Sequence, residues 1–153
     1  MSRGDIAYNK FKQGYNCAQA VAVTFCDYLD MDEDTVARAV SGFGGGMGRM
    51  REVCGTLSGM TFVMSYIYGY SDPKAYEEKA EHYSRIQSLA NKFKDENGSI
   101  VCRELLSLQK KGSDDPVPEK RTEQYYKKRP CAELVRYVAD ILEDYINNNP
   151  PQK

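Results

Sequence analysis

The chain of 153 residues contains a single histidine, His82, and no cysteine pair in Cys-x-x-Cys spacing. Catalysis by a cysteine–histidine pair would depend on this one side chain. The missing Cys-x-x-Cys spacing argues against a zinc knuckle, a zinc ribbon or a thioredoxin-type motif, because each of these uses short local spacing. His82 lies in a polar helical stretch, so we expect it on the protein surface rather than at an active site.

Long apolar runs and an excess of one charge are also missing. The longest apolar stretch, residues 60–68, is too short and too interrupted to span a bilayer, and residues 1–5 carry no apolar signal-peptide core. The net charge is −1 with acids and bases interspersed, which makes nucleic acid a poor candidate partner. We therefore expect a soluble, cytoplasmic protein. In that compartment a conspicuous set of cysteines is more often catalytic or metal-binding than a disulfide framework.

Helix signals dominate what is present. Asn16 is a good N-cap and Gln19 stands three positions later, which predicts a capping box and a helix over residues 16–30. Comparable signals predict helices over residues 5–12, from 32 to 41, from 49–52 to 68, from 72 to 94, from 99, and from 130. Residues 109–121 are polar with two prolines and are predicted to be a loop, either a lid or a solvated connection. No strand pattern is convincing. We predict an all-α fold, a single-domain bundle of about six or seven helices spanning residues 1–153.

Four of the five cysteines are predicted to lie at helix starts: Cys17, Cys54, Cys102 and Cys131. The unpaired N–H groups and the positive end of the dipole there stabilise a thiolate, the form that attacks disulfides and binds metals. We expect at least three of the four to lie near one another, and Cys17 to have a pKa below that of a free thiol. Isolated cysteines are often small core residues, which leaves a structural role open for the four and is the expectation for Cys26.

Five glycines fall within residues 42–48, which cannot be ordinary helix because each costs about 1 kcal/mol relative to alanine there. A dinucleotide fingerprint is excluded because a helix, not a strand, precedes the loop. The pattern fits either an anion site beside Arg49 and Arg51 or a tight interhelical turn. Gly55 and Gly59 share one helix face, which leaves room for another backbone or a ligand. The candidate ligand-binding residues are Gly44, Gly45, Gly46, Arg49, Gly55 and Gly59.

The ordered motifs resemble one known family. They are Gly14-Tyr15-Asn16-Cys17-Ala18-Gln19, the glycine loop 42–48, Cys54-Gly55-x-x-x-Gly59, Cys102 and Cys131. This combination resembles the C_GCAxxG_C_C family, which is named for four cysteines and includes a Cys-Gly-Ala-x-x-Gly segment. Thr56 stands where that segment has alanine, and Cys26 lies outside the pattern. The resemblance covers nearly the whole chain and implies a small prokaryotic protein of suspected redox function, without a substrate or a certain cofactor.

Three functions fit these residues. In the first, the four cysteines carry dithiol/disulfide exchange or electron transfer with an unknown redox partner or small molecule, as a thiol–disulfide oxidoreductase would. In the second, the same four thiolates bind a metal or an iron–sulfur cluster, although such sites usually draw two ligands from one loop. In the third, the glycine loop binds a small ligand and the cysteines are structural. The resemblance favours dithiol chemistry, with one disulfide among the four cysteines after aerobic purification. The sequence leaves the oligomeric state open.

Overall fold

The computed structural model describes residues 1–108 and 112–152, and within them the fold is all-α, as predicted. The helices are α1 (Arg3–Lys12), α2 (Cys17–Val23), α3 (Cys26–Leu29), α4 (Glu33–Ala39), α5 (Gly44–Met47), α6 (Gly55–Tyr68), α7 (Tyr76–Asn97), α8 (Cys102–Leu105), α9 (Glu123–Lys128) and α10 (Cys131–Asn148), with a short 3₁₀ helix at Ser41–Phe43. Three of them, α3, α5 and α8, are only four residues long. These short helices account for the excess over the six or seven helices predicted. The assignment of one domain to residues 1–153 stays a prediction.

The core forms where α1 packs along α10 and α2 packs along α6. Phe11 of α1 and Val135, Val138 and Leu142 of α10 are fully or almost fully buried there. Burial of side chains of this size contributes about 1.5–3 kcal/mol each, which holds short helices that would not be stable alone. No helix in the described part of the chain combines the length and the apolar character needed to cross a membrane.

The helix predicted over residues 16–30 is interrupted after Val23. The Thr24 hydroxyl donates to the carbonyl of Ala20 at 2.8 Å, a back-bond that bends helices, and Phe25 leaves helical geometry with φ −112° and ψ 22°. Cys26 therefore begins α3 and is not in the middle of a helix. It is half-buried and packs against the core.

Two further helix starts differ from the prediction. The helix expected from residues 49–52 begins at Gly55, because the preceding loop has a left-handed backbone. The helix expected from residue 72 begins at Tyr76, because the Asp72 side chain accepts a hydrogen bond from the Lys74 N–H and forms a separate turn. The capping signals at Asn16, Asp32 and Gly98 act as predicted.

Candidate functional site

The structure brings Cys17, Cys54, Cys102 and Cys131 to one cavity of about 360 Å³. Three of them are the first residues of α2, α8 and α10, and Cys54 is the N-cap of α6. All five cysteines of the chain are free thiols. Four helix starts from distant segments thus meet at one place, which makes this cavity the candidate site, while the chemical roles of the four cysteines stay predictions.

The starts of α2 and α10 are fixed by local capping. The Asn16 side chain accepts from the Gln19 N–H at 2.9 Å, and the Gln19 side chain accepts from the Asn16 N–H at 3.0 Å. Pro130 is the N-cap of α10, and its carbonyl accepts the N–H of Leu134 at 3.0 Å. Cys17 and Cys131 therefore occupy the first position of two well-formed helices.

The starts of α6 and α8 are joined by an isolated antiparallel bridge between Val53 and Val101. The Cys54 N–H donates to Ile100 at 2.8 Å, and the Cys102 N–H donates to Glu52 at 2.6 Å. Cys54 and Cys102 are consequently diagonal neighbours across the bridge. Such neighbours lie about 7–8 Å apart, which exceeds the Cα separation of an ordinary disulfide, up to about 6.8 Å. Regular ladder spacing would thus hold this pair slightly too far apart for direct oxidation.

Among the four thiols of the cavity, Cys17 and Cys131 affect each other most, because a side-chain hydrogen bond between them is the largest cause of the pKa shift of each. That bond, together with the charges of Arg129, Arg121 and Arg51, outweighs burial and lowers the pKa of Cys131 to about 7. The same bond and burial raise the pKa of Cys17 well above its ordinary value. The prediction that Cys17 is the acidic thiol is therefore wrong. The acidic thiol is Cys131, because the arginines around the pair stabilise negative charge on its sulfur.

The other two cysteines of the cavity are held as thiols at neutral pH. Burial raises the pKa of Cys54 to about 11, although the Thr56 hydroxyl lies 3.0 Å from its sulfur. Burial also raises the pKa of Cys102, against the opposing effect of Arg51, whose Nη1 donates to the sulfur at 3.6 Å. Only Cys131 combines partial exposure with a lowered pKa.

The glycine loop forms one wall of the cavity with a left-handed backbone. Five consecutive residues, 45–49, have φ between +58° and +70°, and Arg51 follows at +61°. This conformation costs a non-glycine residue about 1–2 kcal/mol, so Met47, Arg49 and Arg51 store strain beside the thiols. A Cβ on Gly46 would lie 2.6 Å from the Glu52 nitrogen, which leaves no room for a side chain. The loop is a tight turn and lines the cavity as well.

Five of the six predicted ligand-binding residues line the cavity: Gly44, Gly45, Gly46, Arg49 and Gly55. Gly59 does not, and that prediction is wrong. A Cβ on Gly59 would lie 2.5 Å from the carbonyl oxygen of Ala18, so the backbone of α2 fills the space beside it. A Cβ on Gly55 would also lie close to Phe43 and Cys17, but Gly55 itself lines the cavity.

Four arginines also line the cavity: Arg49, Arg51, Arg121 and Arg129. The Arg51 side chain is almost fully buried and donates from Nε to Asp114 at 2.8 Å, and Arg129 pairs with Glu119 at 2.5 Å. Sequence reasoning noted Arg51 beside the glycine loop but missed Arg121 and Arg129. These two follow a loop and a short helix, and no local spacing marks them as site residues.

Residues 112–121, the covering segment, close one side of the cavity through Pro116, Pro118 and Glu119. The Asp114 N–H donates to the Arg49 carbonyl at 3.0 Å, and Arg49 Nε donates to the Asp115 carbonyl at 2.8 Å. The predicted loop 109–121 is thus a wall of the site from residue 112 onward. Residues 109–111 lie outside the described residues.

The four thiols of the cavity are the ligands that the predicted metal site would use. Across residues 1–108 and 112–152, no group of three or more histidine, cysteine, aspartate and glutamate side chains is arranged to hold a metal ion. Cys17 and Cys131 are hydrogen-bonded to each other, and Cys54 and Cys102 contact other side chains. The four-thiolate metal or iron–sulfur site stays a prediction.

The single histidine lies outside the cavity, and the prediction of a surface position for it is wrong. His82 is 5% exposed, with Nδ1 2.9 Å from Arg85 Nη1 and Nε2 3.0 Å from Ser65 Oγ. A guanidinium only donates, so Nδ1 accepts and Nε2 carries the hydrogen that is donated to Ser65. Burial and the charge of Arg85 lower the pKa of His82. The histidine therefore cannot act as a base toward Ser65. The hydrogen bonds among Ser65, His82 and Arg85 instead join α6 to α7.

Fold and cavity together define a class: an all-α protein in which four cysteine thiols at helix starts share one cavity. The sequence model of the family described as "Putative redox-active protein (C_GCAxxG_C_C)" matches residues 15–145, and the chain belongs to this family. The resemblance seen in the sequence is confirmed. The family name places glycine before cysteine and alanine after it, whereas here Val53 precedes Cys54 and Gly55 follows it. No curated protein and no solved structure matches the chain.

Proposed function

We propose that this protein is a thiol–disulfide oxidoreductase in which Cys131 is the nucleophile and Cys17 is the resolving thiol. The observation that carries the proposal is the hydrogen-bonded pair in which the pKa of Cys131 is lowered to about 7. A cysteine that is substantially ionised at neutral pH attacks disulfides efficiently, and an adjacent thiol completes the exchange. The redox description of the family agrees with this assignment.

The reaction begins when the Cys131 thiolate attacks one sulfur of a substrate disulfide. A mixed disulfide forms between Cys131 and that sulfur, and the other substrate sulfur leaves as a thiolate. Cys17 then transfers its proton to this leaving thiolate and attacks the Cys131 sulfur. The Cys17–Cys131 disulfide forms, and the second substrate sulfur leaves as a thiolate. Two electrons pass from the protein to the substrate disulfide, and a dithiol donor reverses the sequence.

The hydrogen bond between the two thiols orders these steps. While Cys131 is a thiolate, the hydrogen bond to it is the largest cause of the raised pKa of Cys17, ahead of burial and of the charge itself, and Cys17 stays protonated. Formation of the mixed disulfide removes that charge, so the pKa of Cys17 falls during the step in which it must become a nucleophile. Cys17 is therefore held inactive before the first attack and released by it.

The test is to oxidise the reduced protein with bis(2-hydroxyethyl) disulfide and to map disulfides by peptide mass spectrometry. We expect one protein disulfide, between Cys17 and Cys131. Cys17→Ser should stop the reaction at a mixed disulfide on Cys131, and Cys131→Ser should abolish it. Cys26→Ser is the matched control and should behave like the wild type. A disulfide that contains Cys54 or Cys102, or a Cys17→Ser protein that traps no adduct, contradicts the assignment.

A further inference from the structure

The cavity has the size of a small-molecule site. Its volume of about 360 Å³ falls at the lower end of the range for ligand pockets, about 300–1,000 Å³. The covering segment closes one side through Pro116 and Pro118, and it is tied to the glycine loop by the contacts of Arg49. A cavity of this volume matches a small disulfide in size.

Arg121 is held rigidly at the cavity wall. Nη1 donates to the Phe11 carbonyl at 3.1 Å, and Nη2 donates to the Tyr15 carbonyl at 3.1 Å. The guanidinium carbon lies 4.3 Å from the Phe11 ring centroid and 4.9 Å from that of Tyr125. Two of its five N–H groups are used by these carbonyls. The planar group is therefore oriented before any ligand arrives.

The charge of Arg121 also has no carboxylate partner among the residues that the structure describes. Arg49 and Arg51 both contact Asp114, and Arg129 pairs with Glu119. The anion that Arg121 attracts is the Cys131 thiolate, whose pKa it helps to lower. Once Cys131 enters a mixed disulfide, that anion disappears while the substrate is covalently attached beside the arginine.

We propose that the substrate of the exchange reaction is a small disulfide bearing a carboxylate, and that Arg121 binds this carboxylate. The inference rests on the proposed function. A carboxylate matches the guanidinium in charge and accepts its N–H groups in a fixed geometry. The carboxylate stays beside Arg121 when the thiolate charge is lost, so the guanidinium keeps a counter-charge while the substrate is covalently attached.

The first experiment compares three disulfides of different charge on the reduced wild type: 3,3′-dithiodipropionate, bis(2-hydroxyethyl) disulfide and cystamine. Each oxidation rate is divided by the rate of the same disulfide with 2-mercaptoethanol, which removes its intrinsic reactivity. We expect the dicarboxylate to react fastest and the diammonium compound slowest. Equal corrected rates for the three overturn the inference and leave the proposed function intact. This arm needs no substitution, so it does not depend on the folding of a variant.

The second experiment measures the ratio of the corrected dicarboxylate rate to the corrected neutral rate in Arg121→Gln. A change in the pKa of Cys131 affects both rates and cancels from this ratio. We expect the ratio to fall about ten- to a hundredfold, the effect of losing one hydrogen-bonded charge contact. Arg121→Lys should keep part of the preference. Arg38→Gln, which removes an equal charge from the exposed face of α4, should keep all of it. An unchanged ratio in Arg121→Gln overturns the inference.

The third experiment separates the inference from the proposed function. Suberate, the unreactive carbon analogue of dithiodipropionate, is titrated into the reduced protein by calorimetry. We expect binding to the wild type and to Arg38→Gln and loss of binding in Arg121→Gln. If suberate binds in this way while no disulfide oxidises the Cys17–Cys131 pair, the anion site stands and the exchange function fails. If the pair is oxidised but suberate does not bind to the wild type, the function stands and the anion site fails.

Discussion

Replacing Cys17 with alanine removes the hydrogen bond that contributes most to the acidity of Cys131. With this bond the pKa of Cys131 is lowered from its ordinary value of 9.0 to about 7. Without it, burial opposes the attraction of Arg129 and Arg121, and we expect the pKa to return toward 9. Cys17→Ser keeps an O–H donor at the same position, so the pKa of Cys131 should remain closer to that of the wild type.

The size of the effect follows from two opposing factors. At pH 7 a thiol with a pKa of about 7 is about half ionised, whereas one with a pKa of about 9 is about 1% ionised. Each thiolate of the more acidic thiol is about six- to tenfold less nucleophilic, because reactivity falls with pKa by a Brønsted factor of about 0.4–0.5. The ionised fraction dominates. Cys17→Ala should therefore attack a disulfide about five- to eightfold more slowly at pH 7, but about six- to tenfold faster at pH 10, where both thiols are ionised.

The assay is the initial rate at which the Cys131 thiol is lost to bis(2-hydroxyethyl) disulfide between pH 5 and pH 10, and the product, an adduct on Cys131 or a Cys17–Cys131 disulfide, is identified by mass spectrometry. Alanine replaces Cys26, Cys54 and Cys102 in the proteins compared, so that only the pair reacts. The two rate profiles should cross between pH 7 and pH 10. Profiles that rise through the same midpoint with and without Cys17 would refute the reasoning. Modification of Cys17 in place of Cys131 at pH 7 would refute it as well.

Three further predictions concern stability, each measured by urea unfolding. Gly48→Ala should lower the free energy of unfolding by about 1–2 kcal/mol, the cost of a left-handed alanine, because nothing lies within 4 Å of the added Cβ. Gly46→Ala should lower it clearly more, because its Cβ also clashes with backbone. Equal losses in the two variants would contradict this. Asp114→Asn should cost about 1.5–3 kcal/mol, because it removes the carboxylate paired with buried Arg51, and a neutral result would show that water replaces it. The lowered pKa of His82 means that the unfolded chain takes up a proton as pH falls below 6.5 while the folded chain does not, so stability should decrease there. His82→Gln should remove this part of the acid sensitivity, and an unchanged pH profile would contradict it.

Local signals predicted the parts of the fold that depend on neighbouring residues. The capping box of Asn16 and Gln19 and the position of Pro130 before α10 were readable because cap and helix are adjacent in sequence. The start of α6 could not be read from the sequence, because Arg49 and Arg51 adopt a left-handed backbone that their residue types disfavour. Only contacts made after folding hold them there, such as the pairing of Arg51 with Asp114.

In the candidate site, too, local signals predicted one part and tertiary contacts determine the rest. Four helix starts could be predicted to carry cysteines, but the acidity of each sulfur depends on what faces it across the cavity. The helix-start rule alone favoured Cys17, whereas the charges of Arg121 and Arg129 act on Cys131. Both arginines come from segments with no motif of their own. Their positions follow from tertiary packing, such as that of Arg121 against Phe11, which no spacing in the sequence records.

The placement of Cys17 and Cys131 far apart along the chain couples redox reactivity to the completion of folding. In an unfolded or partly synthesised chain, Cys131 has neither its hydrogen-bond partner nor its arginines, and its sulfur is an ordinary, mostly protonated thiol at neutral pH. The low pKa of Cys131 therefore arises only when α2 and α10 have docked. Once folded, the rate of thiol modification at neutral pH reports the fraction of native molecules. The acidity of Cys131 is thus a property that the chain gains only with its native fold.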